Sequence, residues 1–284
     1  MLSDVTTPER VDHVSSQGYA WGYIGSCVPF VICLLLVLNA GKIGLSMEMS
    51  MMISFAIIAF WWFGLTLPLL KTYQQKYYVE RKPHAMQNSF KRLFETIKNV
   101  RKEKKIFLFL LAFFFYIDGV YTIIDMATAY GTALGFESTG LLLALLLTQV
   151  VAFPFAILFG RLSSKYVAAK LIRVCILAYL GISIFAIFLT KQWQFWLLAV
   201  LVGMFQGGIQ SLSRSYFTKI IPLEKSGEYF GLMDVCGKGA SFLGTIVVGV
   251  LSQTTGQINL SLGALSVFFM LGIVFFRMSE KRED

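Results

Sequence analysis

The sequence predicts an all-α membrane protein of eight transmembrane helices, and three observations carry that prediction. Of 284 residues, 56% are apolar and only 14% charged, with a mean hydropathy of +0.68, more apolar surface than one soluble core can remove from water. The excess falls in eight runs, each near the roughly 20 residues that a helix needs to cross a bilayer. The basic residues behind the net charge of +9 gather between these runs, so the basic balance reflects membrane topology, and nucleic acid is not an expected partner.

The runs are Ala20–Leu38, Met49–Leu70, Ile106–Leu134, Leu141–Phe159, Ala169–Leu189, Phe195–Phe217, Tyr229–Leu251 and Ile258–Phe276. The segment before the first is too polar for a cleavable signal, so insertion is expected to use the spans themselves. Eight spans put both termini on one side. That side carries 22 of the 25 Lys and Arg residues, against Lys42 and Lys191 on the other, which places both termini in the cytoplasm. Trp193 and Trp196 fall at the predicted outer interface, where amphipathic rings belong.

The only long polar segment, residues 71–105, marks the natural boundary. It separates two helices in residues 1–70 from a six-helix bundle in residues 106–284. Within it Phe90, Leu93, Phe94, Ile97 and Val100 recur at helical spacing among basic residues, the pattern of an amphipathic helix on the cytoplasmic leaflet. Cys27, Cys33, Cys175 and Cys236 lie inside apolar runs with no pairing motif and read as packing residues.

Ionisable groups at membrane depth are costly and usually mark a pathway. Asp118 lies about 18 Å into its helix and Asp125 about 28 Å, on one face. Tyr116, Tyr121 and Thr122 add hydrogen-bonding groups, and Gly119 offers a place to bend. Asp118 is expected either to bind solute or coupling ion, or to make a structural bond to a neighbouring helix. Further along, Gln206, Gln210 and Ser213 line up towards a cavity, beside a small stripe of Gly203, Gly207, Ser211 and Ser215 that favours close helix packing. Asp234 and Lys238, four apart with the acid first, are oriented for an ion pair, structural or broken during a transport cycle.

An enzyme would need a nucleophile or metal centre at depth. The histidines are His13 and His84, both in expected cytoplasmic segments, and Asp118 and Asp125 are about 10 Å apart along one helix, too far to share a proton. No catalytic site, cofactor or metal is expected.

In the last six helices the order polar, intermediate, apolar, polar, polar, apolar resembles the carboxy-terminal half of a major facilitator superfamily transporter. Gly160-Arg161-Leu162-Ser163-Ser164-Lys165 is similar to a degenerate form of that superfamily's cytoplasmic loop, with Ser164 in place of its acid. The segments 207–215 (GGIQSLSRS), 228–238 (EYFGLMDVCGK) and 20–25 (AWGYIG) resemble the autophagy-related vacuolar effluxer family and its bacterial relatives.

This resemblance implies a secondary-active carrier of small solutes, with amino acids and the efflux direction among the expectations, working by alternating access. It implies a partial major facilitator fold equivalent to helices 5–12, hence a truncated or split carrier needing an amino-terminal half. The expected pathway residues are Asp118, Tyr121, Asp125, Gln206, Gln210, Asp234 and Lys238, with Arg161, Lys165 and Arg214 at the cytoplasmic gate. Expected partners are the lipid bilayer, a small-molecule solute and the missing half, and the expected location is a bacterial plasma membrane.

Overall fold

The computed structural model describes residues 2–76 and 95–281. Among these, the helices are α1 (Leu2–Val5), α2 (Val11–Leu38), α3 (Met47–Thr72), α4 (residues 95–102), α5 (Lys104–Asp125), α6 (Ala127–Ala133), α7 (Ser138–Leu162), α8 (Ala168–Ile187), α9 (Gln192–Ile220), α10 (Ser226–Thr255), α11 (Ile258–Gly263) and α12 (Ser266–Glu280). Eight helical stretches among the described residues are long and apolar enough to cross a membrane, which confirms the predicted fold class.

Three boundaries differ from expectation. The first spanning helix begins at Val11 rather than Ala20, because its polar first turns are held by partners that hydropathy does not register. Ser15 Oγ donates to the Ser211 carbonyl at 2.8 Å, Ser16 Oγ to Ser211 Oγ at 3.1 Å, and Lys219 Nζ pairs with Asp12 Oδ2 at 2.6 Å. The run expected over Ile106–Leu134 is divided at Met126 into α5 and α6. The last run divides at Ala264 and Leu265, where short-range bonds such as Val267 N–H to the Ala264 carbonyl (3.1 Å) tighten the chain.

Helix α9 forms the centre, packed by α2, α7 and α8, and the small-residue stripe explains how it can be. A Cβ on Gly203 would stand 2.6 Å from the Thr148 carbonyl oxygen, and one on Gly207 2.7 Å from Ala156 Cβ. Backbones of α7 and α9 therefore meet where only glycine fits, the packing mode that replaces hydrophobic sorting inside lipid. On the far side α5 packs against α12. Gly119, expected as a bend, lies within continuous α5 and admits the Phe269 ring, whose Cζ a Cβ would approach to 2.5 Å. Phe109, Phe217, Phe276 and Tyr216 close this region as a ring cluster with centroids 5.3–6.1 Å apart.

Residues 49–70, 174–189 and 258–276 carry no charge, which predicts three peripheral helices facing lipid. Helix α3 matches that most fully: its buried residues are Ser50 and Ser54, while Phe60 and Trp62 are 77% and 78% exposed. The other two are one-sided. In α8, Val174, Leu177 and Ile184 point outward while Cys175, Ile176 and Tyr179 are buried, and in α12 Val267 and Val274 face out while Phe269 and Phe276 are buried.

At the end of the bundle holding α1, Asp12 is buried and only one of its carboxylate oxygens has a partner. Lys219→Ala is therefore expected to lower stability by about 1–2 kcal/mol, discounted for the lysine's partial exposure. Asp12→Asn should cost less, since it removes the buried charge and leaves only Lys219, which reaches water, unpaired. Thermal unfolding in detergent checks both.

Candidate functional site: a charged cleft in an apolar bundle

Polar side chains from α2, α7 and α9 converge on a cleft of about 560 Å³ whose wall includes Tyr19, Tyr23, Gln149, Gln210 and Arg214. A smaller chamber of about 110 Å³ adjoins it, lined by Tyr121 of α5 and Asp234 and Lys238 of α10. Tyr19, Gln210 and Arg214 belong to both, so they form the partition between the two spaces.

Helical spacing explains this convergence. Gln206, Gln210 and Arg214 recur every four residues along one face of α9. On α2, Ser15, Gly18, Tyr19, Gly22, Tyr23 and Ser26 follow the same periodicity and line the cleft. Tyr23 Oη donates to Gln210 Oε1 at 3.1 Å, and the Gln206 amide lies beside the same hydroxyl. Gln206 Oε1 and Gln149 Oε1 are buried without a hydrogen-bond partner, which leaves two acceptors free to take a donor.

Arg214 is the pivotal cation. Its guanidinium lies beside the Tyr19 hydroxyl and over the Phe230 ring, 5.3 Å from the ring centre. Among the described residues the ion pairs are Arg173–Glu280 and Lys219–Asp12, so Arg214 faces the cleft with no carboxylate partner. Leu2 and Val5 of α1, with Leu69 and Tyr73 at the end of α3, line the cleft as well. Tyr73 Oη donates to Asp4 Oδ2 at 2.6 Å, and burial together with this carboxylate pushes the phenol up to about 12.

The other expected site residues divide. Asp234 and Lys238 line one chamber but make no ion pair with each other among the described residues, and both are exposed. The orientation favourable along a helix is thus not used in this conformation. Asp125 is exposed at the end of α5, outside both spaces. Arg161 and Lys165 are exposed where α7 ends and the loop to α8 begins, away from the cleft. Ser213, expected beside the glutamines, is occupied by Tyr116, the two hydroxyls standing 2.6 Å apart.

Asp118 makes the interhelical bond rather than lining the cleft. It is fully buried. Both carboxylate oxygens accept from the Gly244 N–H of α10, at 3.0 and 3.1 Å, and Oδ1 accepts from Thr122 Oγ1 at 3.2 Å. Tyr19, Tyr23 and Gln149 are the cleft residues that sequence reasoning passed over. The regular recurrence of small and hydroxyl-bearing residues along α2 is the signal that could have found the tyrosines, whereas Gln149 stands alone in an apolar run.

Eight candidate spanning helices around a cleft that carries charge define a polytopic membrane protein. The family described as vacuole effluxer Atg22 like matches residues 3–283, and the chain belongs to it. It is 44% identical over 275 residues to the Bacillus subtilis (strain 168) protein named uncharacterized MFS-type transporter YxiO, covering 96% of this chain and 64% of that one. Autophagy-related protein 22-1 of Aspergillus niger is 28% identical over 289 residues, covering 91% and 45%. Autophagy-related protein 22-2 of Aspergillus clavatus is likewise 28% identical, over 292 residues. The chain thus spans between about half and two thirds of the length of these relatives.

Proposed function

We propose that the chain is the substrate-handling part of a secondary-active carrier for small solutes bearing a carboxylate, amino acids among them, working by alternating access in the plasma membrane of a bacterium with both termini inside. The observation that carries this reading is Arg214, a cation set in the wall of a mostly apolar cleft without an acidic partner among the described residues. A guanidinium offers a fork of donors matched to a carboxylate. The Gln149 oxygen supplies an acceptor in the cleft wall, and Asp234 beyond the partition supplies the opposite charge for an ammonium group. The names of the relatives, transporter and effluxer, support the class.

A second reading concerns competence. The exposure of α3 on nearly every side, and of Asp234 and Lys238 on α10, supports a carrier that works only when further helices, supplied by an amino-terminal half, complete the cleft. Uptake and efflux of an amino-acid panel should be measured in vesicles bearing this chain alone, and in vesicles where it is joined to the four additional spans of a family relative. Arg214→Gln is expected to weaken apparent solute affinity roughly 10- to 100-fold in whichever form transports, from the loss of a charged hydrogen bond, whereas Arg161→Gln should leave it unchanged. Equal transport by wild type and Arg214→Gln would sink the assignment of the cleft.

A further inference from the structure

A groove of about 200 Å³ lies away from the cleft, between α4, α5 and α10. Its walls are apolar, with Leu110, Leu111 and Phe114 on one side and Leu232 and Cys236 on the other, and at its end stand Ile97, Val100 and Arg101 of α4. We propose that this groove holds one acyl chain of an anionic glycerophospholipid, with the lipid's phosphate at Arg101.

Two features select this occupant. The first is position. Helices α5 and α10 are both spanning candidates, and Phe107 in the groove is 39% exposed. An apolar furrow on the side of two spans contains no groups for water and is filled by hydrocarbon from the bilayer. The second is charge. On α4, Lys98, Arg101 and Lys102 follow at intervals of three and four and share a face, all exposed. Two nearby acids are engaged by hydroxyl groups, Thr96 Oγ1 donating to Glu228 Oε2 at 2.9 Å and Tyr229 Oη to Glu103 Oε1 at 3.2 Å, and the exposed Glu95 of α4 makes no ion pair with Arg101. Among the described residues Arg101 therefore has no carboxylate partner. A cation at the mouth of an apolar furrow matches a phosphodiester with a chain attached, and neither a free anion nor a neutral lipid satisfies both halves.

The helix is fixed where the site needs it. Val100 is 2% exposed and Thr96 3%, so α4 rests on the bundle through one face and turns its cations outward beside the groove.

Native mass spectrometry of the whole chain released from micelles tests this, with phosphatidylglycerol and phosphatidylcholine of identical chains as probes, and chain-free glycerophosphoglycerol as competitor. Phosphatidylglycerol is expected to bind more tightly than phosphatidylcholine. Arg101→Gln should weaken phosphatidylglycerol about five-fold, the scale of one basic residue at an anionic surface, while Arg101→Lys keeps most of the preference. Leu232→Trp, which fills the groove, should weaken both lipids, and Lys170→Gln on α8 should change neither. Equal binding of the two lipids by wild type, an unchanged preference in Arg101→Gln, or displacement by glycerophosphoglycerol as effective as by lipid would each overturn the proposal. If Arg101→Gln does not fold, the wild-type lipid comparison and the Arg101→Lys variant still decide it. The readout is binding, so it stands or falls separately from transport.

Discussion

Gly244→Ala is expected to lower the stability of the bundle by about 3 kcal/mol or more, from one methyl group. Its Cβ would be driven into Thr122 Oγ1 and to 2.7 Å from Asp118 Oδ1. Neither neighbour can yield easily, because Thr122 and Asp118 are themselves fully buried. To relieve the clash, α10 must move away from α5, and the carboxylate then loses the N–H that satisfies it. A buried acid without partners carries its full desolvation cost. Asp118→Asn should fall between, costing about 1–3 kcal/mol, since the amide keeps one acceptor and turns a donor towards another donor. Gly239→Ala, on the same helix with open space around it, is the control and should be near neutral. Thermal unfolding of the purified protein in detergent gives the comparison. A Gly244→Ala midpoint equal to that of Gly239→Ala would mean that α10 is not clasped to α5 at this point.

The second large effect is expected at the centre. Gly207→Leu should prevent accumulation of folded protein, because the space its side chain needs is occupied by Ala156 Cβ at 2.7 Å, Ala156 Cα at 3.1 Å and the Ala152 carbonyl oxygen at 3.3 Å. Two of these are backbone atoms of α7, so accommodation means separating two helices and not rotating a side chain. Overpacking of this kind costs about 1–3 kcal/mol in forgiving cores and more where backbone must shift. The same displacement would open the contact of α2 with α9, where Ser15 and Ser16 bond to Ser211. Gly231→Leu, with nothing near its Cβ, should express normally. Fluorescence-detected size exclusion of tagged variants reads this out, and a monodisperse Gly207→Leu peak at wild-type level would refute the close packing of α7 on α9.

What the sequence disclosed follows what each interaction leaves in one dimension. Hydropathy reports burial in lipid, so all eight spans were legible, and the four-residue spacing of Gly203, Gly207, Ser211 and Ser215 was enough to announce a close helix contact. The break at Met126 was not legible, since no proline or glycine stands there and the apolar character continues across it, whereas at Ala264 the preceding Gly263 was a signal left unused. The polar start of α2 escaped for the opposite reason: its hydroxyl groups are satisfied by α9, nearly two hundred residues away. Asp118 stood out because a charge at depth is rare, yet its two expected roles could not be separated, because the deciding partner is the backbone of Gly244, and a backbone N–H has no signature in sequence. In the cleft, Gln210 was marked by its periodicity on α9, whereas Arg214 was expected only at a cytoplasmic gate, from the family resemblance, and Ser213 stood in its place in the expected polar row. The matching periodicity of Tyr19 and Tyr23 on α2 went unused because aromatic residues in a hydrophobic run pass for ordinary core.

The bonds that fasten α4 and the start of α5 to their neighbours also have a mechanical meaning. Thr96 holds Glu228, Glu103 receives Tyr229, and the Lys105 carbonyl receives Ser279 Oγ at 2.9 Å. The end of the connecting segment is thereby bolted to the base of α10 and to α12 at once. A displacement of α4 is thus borne by the helix that carries Asp234 and Lys238, which makes α4 a lever arm on one wall of the inner chamber.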